Sequence, residues 1–167
     1  AERLKSAGSC RVLCLGDGIG DLTLTLRLAG FESDYHDLAG SRTAAFARHR
    51  NLQHVATFTE IPSGSFKPHL PWNFYDAVVS LDYLEHVPNL EPWAKEIFAA
   101  LKPGWLFCAQ NAFDCGSGPD GAIPCHLKIN DKYAHAASAT DGRALWDVLL
   151  EEIGFVQESS NWYRKPV

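Results

Sequence analysis

The 167-residue sequence predicts an α/β fold, a doubly wound and mainly parallel central sheet of about seven strands with helices on both faces. Short apolar runs alternate with amphipathic stretches along the whole chain, the pattern of a parallel sheet built by strand-to-helix crossovers. The run Val12 to Leu15 stops at the glycine turn Gly16-Asp17-Gly18-Ile19-Gly20 and is followed by Leu22, Leu24, Leu26 and Leu28, so strand, tight turn and helix succeed one another. An acid, Asp37, closes the next strand-like stretch, at the end where doubly wound sheets meet their ligands.

Ala1 to Gly8 reads as the last turns of a helix, anchored by Leu4 and stopped by Gly8. Glycines in the next turn let the backbone bend tightly and approach a ligand, while the first turn of the following helix aims free N–H groups at the crevice. The same turn also serves as a bare connection without a ligand. Asp21 to Ala29 is the helix, ended by Gly30, and Phe31 to Asp37 is the second strand. Asp37 suits either a pair of ribose hydroxyls or a helix N-cap. Ser41 to Arg50 is a helix whose basic face of Arg42, Arg48, His49 and Arg50 needs only solvent to explain it.

His54 to Phe58 is the third strand, with Thr59, Glu60 and Ile61 directly after it, and Pro62 to Asn73 is loop. Asp76 to Leu81 is a buried strand ending in Asp82-Tyr83-Leu84-Glu85-His86. Leu90, Trp93, Ala94, Ile97, Phe98 and Leu101 form one face of a helix that Lys102-Pro103-Gly104 breaks. Trp105 to Ala112 is the fifth strand. Asp114 to Asp131 is a long irregular connection, of a length that in compact domains usually carries function. Gly142 to Ile153 is the last helix, stopped by Gly154, and Phe155 to Val167 supplies one or two closing strands around Ser159 to Asn161.

With 46% hydrophobic and 21% charged residues, the chain has the composition of a globular protein, read as one domain over residues 1–167. A formal net charge of −5 argues against nucleic-acid backbones and anionic membranes as partners. The five cysteines lack a C-x-x-C pair and are odd in number, which points away from a disulfide framework or a zinc site and toward a reducing compartment. The cytoplasm is therefore the expected location, and no metal is expected. Neither a secretory leader nor a run of membrane-spanning length is visible. Methionine is absent even at position 1, so the chain is expected to lack its natural N-terminus.

In combination these residues resemble a known family. VLCLGDGIG looks like the first motif of class I S-adenosylmethionine-dependent methyltransferases of the small-molecule, ubiquinone-biosynthesis-like type. Asp37 looks like their ribose acid, and YDAVVSLDYLEHVPN followed by LKPGW like their fourth strand and the turn before the fifth. The resemblance implies a Rossmann-like domain that takes S-adenosylmethionine as cofactor. Gly16, Asp17, Gly18 and Gly20 would wrap its methionine portion, and Asp37 would hold the ribose with Leu38 beside the adenine. Thr59, Glu60 and Ile61 would meet the adenine, while Leu81 and Asp82 would line the pocket near the sulfonium.

This sequence departs from the family at Cys14, where an acid is usual, and at Trp105, where a second glycine is common. The implied reaction is methyl transfer to an oxygen or nitrogen of a small molecule. His126 matches a position where similar enzymes carry a substrate-side histidine and is the candidate base, with His86 as second choice; a packed side chain is the alternative for both. Two other readings stay open here. A nicotinamide-dependent oxidoreductase also uses a glycine turn and a ribose acid, although a G-x-G-x-x-G pattern would need glycine where Asp21 stands. A degenerate nucleotide-binding scaffold without catalysis would account for Cys14. The oligomeric state is not read from the sequence.

Overall fold

Val12, Leu13, Cys14 and Leu15 are each at most 1% exposed, which places β1 (Arg11–Leu15) at the centre of the sheet with both faces covered. The computed structural model describes residues 1–50, 52–62, 69–87, 89–110, 128–129, 132–133 and 145–167. Around β1 lie β2 (Glu32–Leu38), β3 (Phe58–Ile61), β4 (Tyr75–Leu81), β5 (Leu101–Gln110), β8 (Val156–Ser159) and β9 (Trp162–Arg164). The strands form one seven-stranded sheet in the order β3-β2-β1-β4-β5-β9-β8. Neighbours from β3 to β5 pair in parallel, and β9 and β8 close the edge antiparallel. The strand order reverses between β1 and β4, so the carboxyl ends of these strands open the crevice in which ligands of such sheets lie.

Helices cover both faces, as the alternation predicts. The side chains of Leu13, Leu15 and Val78 pack with α4 (Leu90–Ala100) and α5 (Leu145–Ile153) through Trp93, Ile97, Trp146 and Leu150. Val12, Cys14 and Val79 point the other way, toward Leu4 of α1 (Glu2–Ser6) and Leu26 of α2 (Asp21–Leu28). Next to them Tyr35, Ala47 and Leu52 form a smaller cluster under α3 (Arg42–His49). Ser41 starts α3 by accepting a hydrogen bond from the Ala44 N–H at 2.9 Å. Among the described residues no helix is long and apolar enough to cross a membrane.

Three elements differ from the sequence reading. The third strand is Phe58–Ile61, whereas Leu52–His54 is a 3-10 turn. Leu52 is fully buried against the glycine turn, which draws its segment into a turn and delays the strand until Phe58 can stack on Tyr35, with ring centroids 4.3 Å apart. Thr59, Glu60 and Ile61 therefore lie within β3 rather than after it.

Lys102-Pro103-Gly104 does not separate helix from strand, because β5 begins at Leu101 directly after α4. The Pro-Gly pair instead sits where pairing with β4 shifts register between Tyr75 and Ala77, a bulge inside the strand with Gly104 at φ +83°. The third difference is a small hairpin of β6 (Lys128–Ile129) and β7 (Lys132–Tyr133), which occupies the end of the stretch read as irregular and continues past it. The remainder of that stretch, with Cys115, Cys125 and His126, lies outside the described residues.

Candidate cofactor site

Strand pairing alone assembles the site. Leu15 is in register with His36 on one side and Ser80 on the other. Asp37, Gly16 and Leu81 are the residues that directly follow these three, at the ends of the adjoining strands β2, β1 and β4. The turn after β1 is anchored there by the Gly16 N–H, which donates to the His36 carbonyl at 2.7 Å.

Each glycine of the turn makes room for something different. A β-carbon on Gly16 would lie 2.0 Å from Cγ of Tyr83, and one on Gly20 would lie 2.5 Å from a methyl of Leu52. These two positions are glycine because other side chains lie against them. At Gly18 the nearest atom would be Cβ of Thr43 at 3.9 Å, an ordinary contact, so this position could take a β-carbon without a clash.

Asp17 turns its carboxylate onto the start of α2, where it accepts from the Leu22 N–H at 3.0 Å and the Thr23 N–H at 2.8 Å. The carboxylate thus satisfies first-turn N–H groups of that helix, whose N-cap position is Gly20. Burial pushes its carboxyl above the ordinary range, against the pull of those two N–H groups. The buried Cys14 lies beneath, its thiol pushed far up by burial and by the nearby Asp17 charge, hence neutral and inert.

Asp37 is 6% exposed. Its Oδ1 accepts from the Leu38 N–H at 2.6 Å and its Oδ2 from the Tyr35 hydroxyl at 3.2 Å. The same hydroxyl stands 2.7 Å from the Gly18 carbonyl oxygen. Burial raises the Asp37 carboxyl although these donors oppose it. Leu38, exposed, is in register with the buried Ile61 and makes an apolar edge beside the acid.

Thr59 is exposed on β3 and in register with His36. Glu60 pairs with Arg48 of α3 at 2.7 Å, while the Arg48 guanidinium lies over Phe58, so this carboxylate is engaged with the helix. Leu81 is 39% exposed at the end of β4. Asp82 follows with φ +50°, a left-handed conformation that is uncommon outside glycine, and its N–H donates to the Gln110 carbonyl at 2.7 Å. His86 points largely outward, 4.0 Å from Glu85.

Two tyrosines belong to this site that sequence reasoning missed, Tyr35 and Tyr83. Tyr83 is buried against Gly16, its ring edge-on to Trp93, and its hydroxyl has no hydrogen-bond partner among the described residues. Nearby Asp37 adds to burial in raising that phenol, which stays protonated. No linear signal marks either residue, since both read as strand or loop aromatics.

These features fit a nucleoside-bearing cofactor. A carboxylate with free lone pairs suits a diol, an apolar edge at Leu38 and Ile61 suits a base, and the buried Tyr83 hydroxyl is without a partner among the described residues. Among the described residues no cluster of His, Cys, Asp and Glu forms a metal site.

Comparison with known proteins agrees with this geometry. The profile of a family described as a methyltransferase domain matches residues 13–109. Sterol 24-C-methyltransferase of Aspergillus fumigatus is 25% identical over 144 residues, covering 79% of this chain and 37% of that protein. The Schizosaccharomyces pombe sterol 24-C-methyltransferase is 30% identical over 137 residues, covering 77% and 34%. The chain thus spans little more than a third of these relatives. Phosphoethanolamine N-methyltransferase 2 of Haemonchus contortus, solved with S-adenosyl-L-methionine, superposes with a TM-score of 0.65 at 18% identity, covering 89% of this chain and 33% of that one.

Proposed function

The chain belongs to the methyltransferase-domain family, and from that membership we propose that it transfers a methyl group from S-adenosylmethionine to a small-molecule acceptor. The observation that carries this reading is the alignment of Asp37, Gly16 and Leu81 at adjoining strand ends beside the switch in strand order. When bound, the cofactor supplies a methyl carbon already activated on a sulfonium. The chain's own task is then to hold the ribose at Asp37, to line the methyl-bearing end with the turn and Leu81, and to align the acceptor away from water.

A base is needed only when the acceptor must lose a proton. For an oxygen or nitrogen acceptor we assign that role to His126, on the family resemblance. His126→Ala should then lower turnover by roughly 10²–10⁴-fold with cofactor affinity unchanged. A carbon acceptor is the second reading, favoured by both sterol 24-C-methyltransferase relatives. The free thiols Cys10, Cys14 and Cys108 support a cytoplasmic setting.

Calorimetric titration with S-adenosylmethionine, S-adenosylhomocysteine and nicotinamide dinucleotides tests the cofactor. Binding of the first two alone supports the proposal, and silence toward all of them favours a non-catalytic scaffold. Labelled methyl transfer to a sterol, an amine and a phenol then separates carbon, nitrogen and oxygen acceptors by the site of label in the product.

A further inference from the structure

The phenol oxygen of Tyr35 is 2.7 Å from the Gly18 carbonyl oxygen and 3.2 Å from Asp37 Oδ2. One atom therefore touches both halves of the candidate cofactor site, the turn after β1 and the acid at the end of β2. The ring that carries it is held firmly. It is 0% exposed, stacks on Phe58 at 4.3 Å with planes 12° apart, and packs with Ala47 and Leu52. Burial, then the neighbouring Asp37, Asp17 and Glu60 carboxylates, push the phenol far above its ordinary range, so it remains a donor.

We propose that Tyr35 is a positioning residue of the cofactor site: its hydroxyl bridges the Gly18 carbonyl and the Asp37 carboxylate and sets the separation between the ribose acid and the glycine turn. The proposal rests on the reading of Asp37 as the ribose acid. The single phenol proton is shared in a three-centre bond, the shorter branch to the Gly18 carbonyl at 2.7 Å and the longer to Asp37 Oδ2 at 3.2 Å; with the Leu38 N–H on Oδ1, each carboxylate oxygen is oriented by the protein and retains a lone pair for a ribose hydroxyl. The acid is thereby aimed before a ligand arrives, which removes an ordering cost from binding.

The titratable and charged groups around Asp37 are Tyr35 on its own strand, Glu60 on β3 with its partner Arg48 on α3, Asp17 in the turn, and Tyr83 after β4. Burial raises the Asp37 carboxyl, and the Leu38 N–H, the Tyr35 hydroxyl and, more weakly, the Gly18 N–H lower it. Losing the hydroxyl raises it further. Ribose recognition needs the carboxylate, so its loss on acidification would then begin at higher pH.

The test is Tyr35→Phe, which keeps the stacked ring and removes only the oxygen. The 167-residue chain and the variant are titrated across pH with S-adenosylhomocysteine and with an analogue lacking both ribose hydroxyls, below the variant's melting temperature. The homocysteine compound should bind the variant about tenfold or more weakly than the parent, a hydrogen-bond-sized loss. The analogue should bind both proteins alike, and the acid limb of affinity should move upward in pH. Equal weakening of both ligands would reduce Tyr35 to a packing residue, and unchanged affinity would likewise overturn the proposal while leaving the cofactor site intact. Failure of the parent chain to bind S-adenosylhomocysteine would overturn the site assignment itself, and the bridge with it.

Discussion

Tyr83 packs against Gly16 so closely that a β-carbon there would stand 2.0 Å from its Cγ. The contact joins the turn after β1 to the segment after β4 across the mouth of the crevice. Gly16→Ala should therefore displace the ring and destabilise the protein well beyond Gly18→Ala, which meets nothing nearer than 3.9 Å and suffers only its positive φ, a cost of about 1 kcal/mol. Chemical denaturation should also show that Tyr83→Ala relieves part of the Gly16→Ala penalty. Strict additivity of the two would mean that the ring yields freely.

Asp37→Ala should weaken S-adenosylmethionine by about 1.5–3 kcal/mol, the size of hydrogen bonds to a charged group, and leave the fold intact. Calorimetry on the folded variant decides this. Normal affinity would mean that the ribose is held elsewhere.

Gly18→Val places a branched side chain in the turn, where a β-carbon clashes with nothing, and should abolish cofactor binding while lowering thermal stability much less. A variant that binds normally would show that the turn serves the fold and not the ligand.

His36 is 2% exposed on β2, its Nδ1 has no hydrogen-bond partner among the described residues, and burial pushes its imidazole down to about 4. The unfolded chain takes up this proton near the ordinary value of about 6.5, so acidification from there toward the folded value favours unfolding. The resulting loss is about 2 kcal/mol between neutral pH and a pH of about 5. His36→Leu should remove it. Denaturation midpoints of variant and parent that fall in parallel with acid would contradict this account.

Asp76 accepts from the Cys10 and Arg11 N–H groups at 2.9 and 2.8 Å and pairs with Lys102 at 2.7 Å. Burial opposes its charge, but these partners win and hold the carboxyl below its ordinary range. Its stabilising effect is present above the ordinary carboxylate value and is lost as pH falls through the folded one. Asp76→Ala leaves two backbone donors and a lysine without their acceptor and should cost roughly 1–3 kcal/mol at neutral pH, less in strong acid. Thermal melts at both pH values check it.

Much of this was readable along the chain. The strand at Val12 to Leu15, the glycine turn, the acid at Asp37 and the strand at Asp76 to Leu81 announce themselves through apolar runs, glycine and strand ends, all local properties of sequence. So do the amphipathic α4 and the closing pair β8 and β9. The misplaced elements lie where a distant contact overrides local pattern: Leu52, buried against Gly20, converts an expected strand into a turn, and pairing with β4 carries β5 straight through Pro103 and Gly104.

Glycine in the turn is legible as freedom for the backbone, but its purpose is not, because purpose depends on what lies opposite. Tyr83 on Gly16, Leu52 on Gly20 and the Tyr35 hydroxyl between Gly18 and Asp37 join parts of the chain that no short window contains together. Composition, periodicity and turn chemistry act over a few residues and were enough for the class of fold, for the crevice at the strand ends and for Asp37 as the candidate acid there. The partners of those residues follow from strand order, register and the packing of helices on both faces, and these are settled by the whole core at once.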